Sequence, residues 1–186
     1  MFVAKTNIPL PQIPYMYQQQ IKLLALDGEV ALKKQSGKGI FECKHLHIGL
    51  YKWLRDNIVD EDYDVKKIMV QTIREGNFEP HIDGPSVTGL IRHYNLMYII
   101  ETGGDRVLTQ FYDSPPALIE RAASSDYRIQ YGESSVIHSI EFKKGTWNLM
   151  NNQVFHSVEG ITGTRIGLSI SFYDPVMPKF LLKLLD

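Results

Sequence analysis

The chain has 186 residues, 44% of them hydrophobic and 22% charged, and a formal net charge of −1. This is the composition of one ordinary globular domain with a single core, and it excludes a largely disordered chain. Its 20 basic and 21 acidic side chains are interspersed, so the electrostatic footprint of a general nucleic-acid binder is absent.

A single cysteine, Cys43, excludes an internal disulfide and any multi-cysteine zinc or iron–sulfur site. No stretch approaches the roughly 20 apolar residues of a membrane helix. The proline-broken N-terminal segment carries no apolar run of signal-peptide length. A soluble, cytoplasmic protein in a reducing compartment is the default expectation.

In chain order, the first 35 residues read as an irregular, Pro-rich arm and a mixed segment ending in Lys33-Lys34, punctuated by Gly37 and Gly39. From about Cys43 to Ile58, the apolar residues Leu46, Leu50, Trp53, Leu54 and Ile58 recur at helical spacing and predict one amphipathic helix. After Asp64 the pattern changes to short segments rich in β-branched and aromatic residues. These are 67–74, 92–101, 106–112, 136–142, 147–150, 154–158 and 165–173. Turn formers separate them, among them Gly76-Asn77, Gly84-Pro85, Gly103-Gly104, Pro115-Pro116, Asn151-Asn152, Gly160 and Gly163. Many short strands at this spacing predict an antiparallel barrel or two-sheet roll, mainly β with flanking helices. One domain over 1–186 is expected, with an arm and helical support over 1–64, a β core over 65–174 and a C-terminal cap over 175–186. The terminal PKFLLKLLD reads as a short amphipathic helix packed on the sheet.

Two segments carry the chemistry. In Glu79-Pro80-His81-Ile82-Asp83-Gly84, residues two apart on a strand project to one face, so His81 and Asp83 can converge on one point. By itself the pair reads equally as a turn in which Asp83 caps the loop. In the second segment His156 alternates with Val154 and Val158, Gly160 and Gly163 make a turn, and Arg165 opens the next strand. Pairing of these two strands as a hairpin is expected to return Arg165 to the neighbourhood of His156. Alternation sends Arg165, Gly167, Ser169 and Ser171 to one face and Ile166, Leu168, Ile170 and Phe172 to the other. An arginine with small polar residues opposite a continuous aliphatic face suits a pocket wall.

Two histidines and a carboxylate form the ligand set of non-haem Fe(II) oxygenases. Three ligands on one face leave positions open for a 2-oxo acid and for oxygen, and a separate arginine can grip the far carboxylate with two hydrogen bonds.

The stretch from about Ile68 to Phe172 resembles the Fe(II)/2-oxoglutarate dioxygenase superfamily through the order His81-x-Asp83, His156, Arg165. The resemblance implies a double-stranded β-helix (jelly-roll, cupin-like), with Fe(II) on His81, Asp83 and His156 and 2-oxoglutarate on Arg165. It also implies molecular oxygen as co-substrate, and hydroxylation of a C–H bond with release of succinate and carbon dioxide. The segments HIDGPSVTGLIRHYNL and NNQVFHSVEG are similar to the aspartyl/asparaginyl β-hydroxylase branch, which implies that Arg92 touches the 2-oxoglutarate or the substrate. Tyr94 departs from that branch, which often has histidine there. Asp83 departs too, because the branch's aspartyl enzyme can lack this carboxylate. Prolyl-hydroxylase-like enzymes share the core motif. The substrate expected is a peptidyl or free amino acid or another small molecule, and the alternative is a non-catalytic cupin-like binding roll. A nucleic-acid dealkylase is disfavoured, because GLSISFYDPV supplies no second arginine.

The remaining candidates read as structural. His45 and His47 diverge on a helix and are expected at the surface. His93 and His138 are lone strand histidines, Tyr112 and Trp147 core aromatics, Lys143-Lys144 a solvated turn and Cys43 a partly buried thiol.

Overall fold

The structure, a computed structural model, describes residues 2–26, 38–42, 47–59, 67–83, 90–113, 119–121, 127–129 and 135–185. The expectations for Cys43, His45 and Leu46 lie outside these residues. So do the turns at Gly84-Pro85 and Pro115-Pro116. No helix among the described residues is long and apolar enough to cross a membrane.

The molecule is built on two long strands, β3 (Lys67–Ile82) and β10 (His156–Phe172), which pair antiparallel from His156↔His81 to Ser171↔Lys67. This ribbon organises a ten-stranded sheet. One arm of β10 pairs β4 (Tyr94–Glu101), which leads through β9 (Trp147–Asn151) to β1 (Ala4–Ile8). The other arm pairs β5 (Leu108–Tyr112), which pairs β8 (Val136–Glu141). Beside β3 lie β2 (Lys38–Glu42) and the short pair β6 (Ile119–Arg121) and β7 (Tyr127–Ile129).

Three differences from the sequence reading matter. First, Gly76-Asn77 does not end a strand: β3 continues to Ile82 and so carries His81. Second, the segments holding His156 and Arg165 are not a hairpin but one strand, bent by three register shifts between His156 and Thr164. The ladder to β3 runs on past Gly160 and Gly163, so the glycines produce bulges where reversal was expected. At Gly160, with φ 79°, an added Cβ would collide with Arg106 O, so only glycine allows the approach. Third, residues 2–26 of the arm contain regular structure. They supply the edge strand β1 and the helix α1 (Tyr15–Leu26), which buries Ile21 and Ala25 one turn apart. Gln18 ties that helix down, donating to Ile13 O at 2.7 Å and Tyr98 OH at 3.0 Å.

The predicted amphipathic helix is α2 (Ile48–Asn57). His47 is its N-cap, its Nδ1 accepting from Leu50 N at 3.0 Å. A short α3 (Lys179–Leu182) ends the chain, with Leu181 fully buried. Lys5 Nζ donates to the carbonyls of Leu184 and Leu185 beyond it.

Strand alternation divides the interior as the sequence suggested. Ile166, Leu168, Ile170 and Phe172 join Leu96, Tyr98, Trp147 and Leu149 in the larger core, beneath Leu50 and Leu54 of α2. Each such side chain contributes roughly 1.5–3 kcal/mol by leaving water. Trp147 Nε1 donates to Pro11 O at 2.8 Å, which satisfies the buried indole. The opposite, concave face carries a smaller cluster of Met97, Ile99, Phe111, Phe142, Met150 and Val154. The polar side chains of interest open on that second face.

Candidate metal centre

His81 and His156 stand opposite each other in the β3–β10 ladder, so they share a face, and their ring centroids are 4.4 Å apart. His156 is also opposite Phe111 of β5, which belongs to the concave-face cluster. Asp83 follows two residues after His81. Its Oδ1 lies 3.7 Å from His81 Nε2. One ligand atom from each of His81, Asp83 and His156 falls within 4.8 Å of the others, and all three residues are buried.

The surroundings orient these atoms. His156 Nδ1 lies 2.9 Å from Val154 O. A carbonyl can only accept, so Nδ1 carries the hydrogen and Nε2 keeps its lone pair for a metal. Asp83 N donates to Asn152 O at 3.2 Å, and Asn152 N donates to His93 O at 2.9 Å. His93 N in turn donates to Phe172 O at 2.9 Å. This series ties the Asp83 end of the ribbon to the far end of β10.

Arg165 lies next to the β4-paired arm of β10, opposite Ile73 of β3. It is 5% exposed, and burial alone pulls its guanidinium down to about 10, still far above neutrality. Among the described residues no carboxylate pairs with it. Farther along the same face, Ser169 is buried with an unsatisfied hydroxyl. Ser171 Oγ donates to Asn95 Oδ1 at 2.9 Å. A buried cation with no counter-ion is costly, and an anionic ligand is its natural complement.

Arg92 occupies a place the sequence did not indicate. Its Nη2 is 3.3 Å from Asp83 Oδ1, so it faces one of the three converging side chains directly. Gln153, which carried no signal of its own inside NNQVFHSVEG, donates from Nε2 to Asp83 O at 3.2 Å and to Arg92 O at 2.8 Å.

Among the described residues, the side chains of the other histidines are not part of this cluster. His93 is half-buried, and its imidazole is held below the usual value by burial, against the raising effect of Asp174. His138 is exposed on β8 beside Phe111, with ring centroids 6.2 Å apart. Tyr112 is buried and hydrogen-bonds Ser157 at 2.8 Å, and Lys144 pairs with Glu101 at 3.0 Å.

No family model matches the chain, and no curated protein matches it in sequence. Solved structures do. The non-haem α-ketoglutarate-dependent epimerase SnoN of nogalamycin biosynthesis superposes with a TM-score of 0.57 at 12% identity, covering 93% of this chain and 79% of that one. The same epimerase in complex with Fe3+, α-ketoglutarate and nogalamycin RO gives 0.53 at 14%, covering 100% and 85%. The fold is that of the Fe(II)/2-oxoglutarate oxygenases. A Pseudomonas putida prolyl-4-hydroxylase gives 0.50 at 12%, covering 93% of each chain. At these identities the likeness is one of fold, a double-stranded β-helix.

The donor set fits the metal that this fold carries in the epimerase. Two imidazoles and one carboxylate are a borderline nitrogen–oxygen set suited to Fe(II), and a three-residue set leaves coordination positions for small ligands.

Proposed function

We propose that this protein is an Fe(II)- and 2-oxoglutarate-dependent oxygenase that hydroxylates a C–H bond of a peptidyl or free amino acid or another small molecule. The observation that carries the reading is the convergence of His81, Asp83 and His156 in a fold whose concave face also holds a buried Arg165 with no carboxylate partner among the described residues. A structural metal site has no use for that guanidinium, whereas a dicarboxylate co-substrate does.

His81, Asp83 and His156 would hold the iron, and Arg165 would hold the distal carboxylate of 2-oxoglutarate. When bound, the iron and 2-oxo acid supply oxygen activation: one oxygen atom leaves in succinate alongside carbon dioxide, and the other enters the substrate as hydroxyl. The chain's own residues contribute position. His156 presents Nε2 because its other ring nitrogen is engaged by Val154. Arg165 would grip the far carboxylate of the co-substrate through its planar fork. Phe111, Met97 and Ile99 line the same face with apolar surface and exclude water from it. The charge balance agrees. Asp83 contributes −1 while Arg92 and Arg165 contribute +2, so a divalent cation and a dianionic co-substrate together leave the site no more charged than before.

The test is anaerobic addition of Fe(II) to the protein with 2-oxoglutarate, followed by visible absorption. A band requiring all three components is expected, and slow succinate formation should follow on admitting oxygen. No 2-oxoglutarate-dependent band overturns the reading and favours a binding-only β-roll.

A further inference from the structure

The family resemblance implies that Arg92 touches the 2-oxoglutarate or the substrate, whereas in the structure it stands beside Asp83. Its guanidinium stands 3.3 Å from the Asp83 carboxylate, and that carboxylate stands 3.7 Å from His81 Nε2. Both side chains are shielded, with 13% and 10% of their surface exposed. In such surroundings an ion pair is weakly screened. A free aspartate can turn either oxygen toward a metal, or both. A guanidinium fixed on one side restricts that choice.

The backbone that carries this guanidinium is itself held in place. Gln153 Nε2 has two hydrogens and gives one to Asp83 O and the other to Arg92 O. The two ends of segment 83–92 are thereby tied to one amide. The Gln153 main chain is anchored in turn, because Gln153 N donates to Asn151 Oδ1 at 2.9 Å. The neighbouring Asn152 accepts from Asp83 N and donates to His93 O. Three residues after Gln153 comes His156. A single turn between β9 and β10 therefore presents one histidine and fixes both the aspartate and the arginine that faces it.

We propose that Arg92 is the positioning residue of the metal centre. Held by Gln153, it keeps the Asp83 carboxylate oriented as a single-oxygen ligand, and it acts on the metal through Asp83 without binding the co-substrate. This rests on the metal-binding reading of His81, Asp83 and His156. Removing a hydrogen-bonded partner of a metal ligand typically lowers metal affinity 10–100-fold. Arg92→Gln should follow that rule. Gln153→Glu should do so too, because its carboxylate would face two carbonyl oxygens where the amide donated to both. Arg92→Lys keeps the charge, loses the planar fork, and should recover only part of the loss.

The experiment is titration of the full chain with Co(II), followed by its visible d–d spectrum, with 2-oxoglutarate affinity measured afterwards at saturating metal. Thermal melting of each metal-free variant checks folding, and Gln153→Glu tests the same clamp if Arg92→Gln does not fold. The expected result is Co(II) affinity lowered tenfold or more in Arg92→Gln and Gln153→Glu, an altered d–d spectrum, and 2-oxoglutarate affinity changed less than threefold. Unchanged Co(II) affinity and spectrum in folded variants, or a loss confined to 2-oxoglutarate, overturns the proposal and leaves the oxygenase reading standing. A wild-type protein that takes up no Co(II) overturns the metal centre itself, and this role for Arg92 with it.

Discussion

His81 and His156 face each other directly across the β3–β10 ladder, with ring centroids 4.4 Å apart. Their approach is therefore a matter of register. A slip of one residue would send one imidazole to the opposite face of the sheet. The bulges that follow His156 fix the register by accommodating the bend without disturbing the pairing at either end.

Removing one of these rings tests the centre. His156→Ala takes away a donor at the edge of the concave face, where Phe111 remains to support the strand. Fe(II) or Mn(II) affinity is expected to fall by more than about 100-fold, since even outer partners of metal ligands are worth 10–100-fold. The fold should persist. Equally tight metal binding by the variant, in the same titration, would refute the ligand assignment.

Arg165→Ala should weaken 2-oxoglutarate by about two orders of magnitude or more, because breaking a buried charge pair costs roughly 2–5 kcal/mol. Metal binding should stay nearly unchanged. Arg165→Lys should restore little, since an ammonium cannot reproduce the fork. With the guanidinium at about 10, wild-type affinity for 2-oxoglutarate should show no loss attributable to Arg165 between pH 7 and roughly pH 9. Isothermal titration of the three proteins across that range decides the matter.

The same buried charge has a stability consequence. A cation whose folded value is depressed opposes folding while it is protonated, and stability rises only as pH climbs through the folded value near 10. Arg165→Met should therefore raise the melting temperature of the metal-free protein at pH 7. An unchanged or lower melting temperature would mean that the guanidinium is compensated after all.

Gly103 sits against Arg165, and its φ of 81° is unfavourable for any other residue. A Cβ there would lie 2.7 Å from Arg165 N and 2.9 Å from Arg165 Cβ. Gly103 O also accepts from Thr162 N and Gly163 N, at 2.9 and 2.8 Å, so the backbone has little room to yield. Gly103→Ala should cost roughly 1–3 kcal/mol and weaken 2-oxoglutarate as Arg165 shifts. Urea midpoints and 2-oxoglutarate titration read the two effects separately.

Glu101 joins α1 to the turn before β9, through Lys22 at 2.5 Å and Lys144 at 3.0 Å. Burial raises its carboxyl, but the two lysines outweigh burial and hold it below the usual range. A depressed carboxyl stabilises the fold above its unfolded value and loses that contribution as pH falls through the folded one. Both lysines are substantially exposed, so the contribution is about 0.2–1 kcal/mol. Glu101→Gln should lower the urea midpoint at pH 7, and the difference from wild type should vanish as pH falls through the folded value. A difference that persists in acid would assign the effect to packing.

The sequence by itself determined the alternation of β10 and the residue types at the centre. Ile166, Leu168, Ile170 and Phe172 had to share a core face because a strand repeats every two residues, and Arg165, Ser169 and Ser171 had to oppose them. That His81 and Asp83 could converge followed from the same period. How the chain runs from His156 to Arg165 was decided only by the tertiary structure. Local turn chemistry at Gly160 and Gly163 reads as a reversal, yet the long-range ladder to β3 turns those glycines into bulges in a continuous strand. The regular structure within the N-terminal arm was hidden for the same kind of reason. β1 exists because β9 offers it an edge, and α1 is secured by Tyr98, a partner far away in sequence. Arg92 shows the limit most clearly. Its position along the chain suggests a ligand contact, but the Gln153 bridge that places it on Asp83 joins residues 61 and 70 positions apart, which no local pattern encodes.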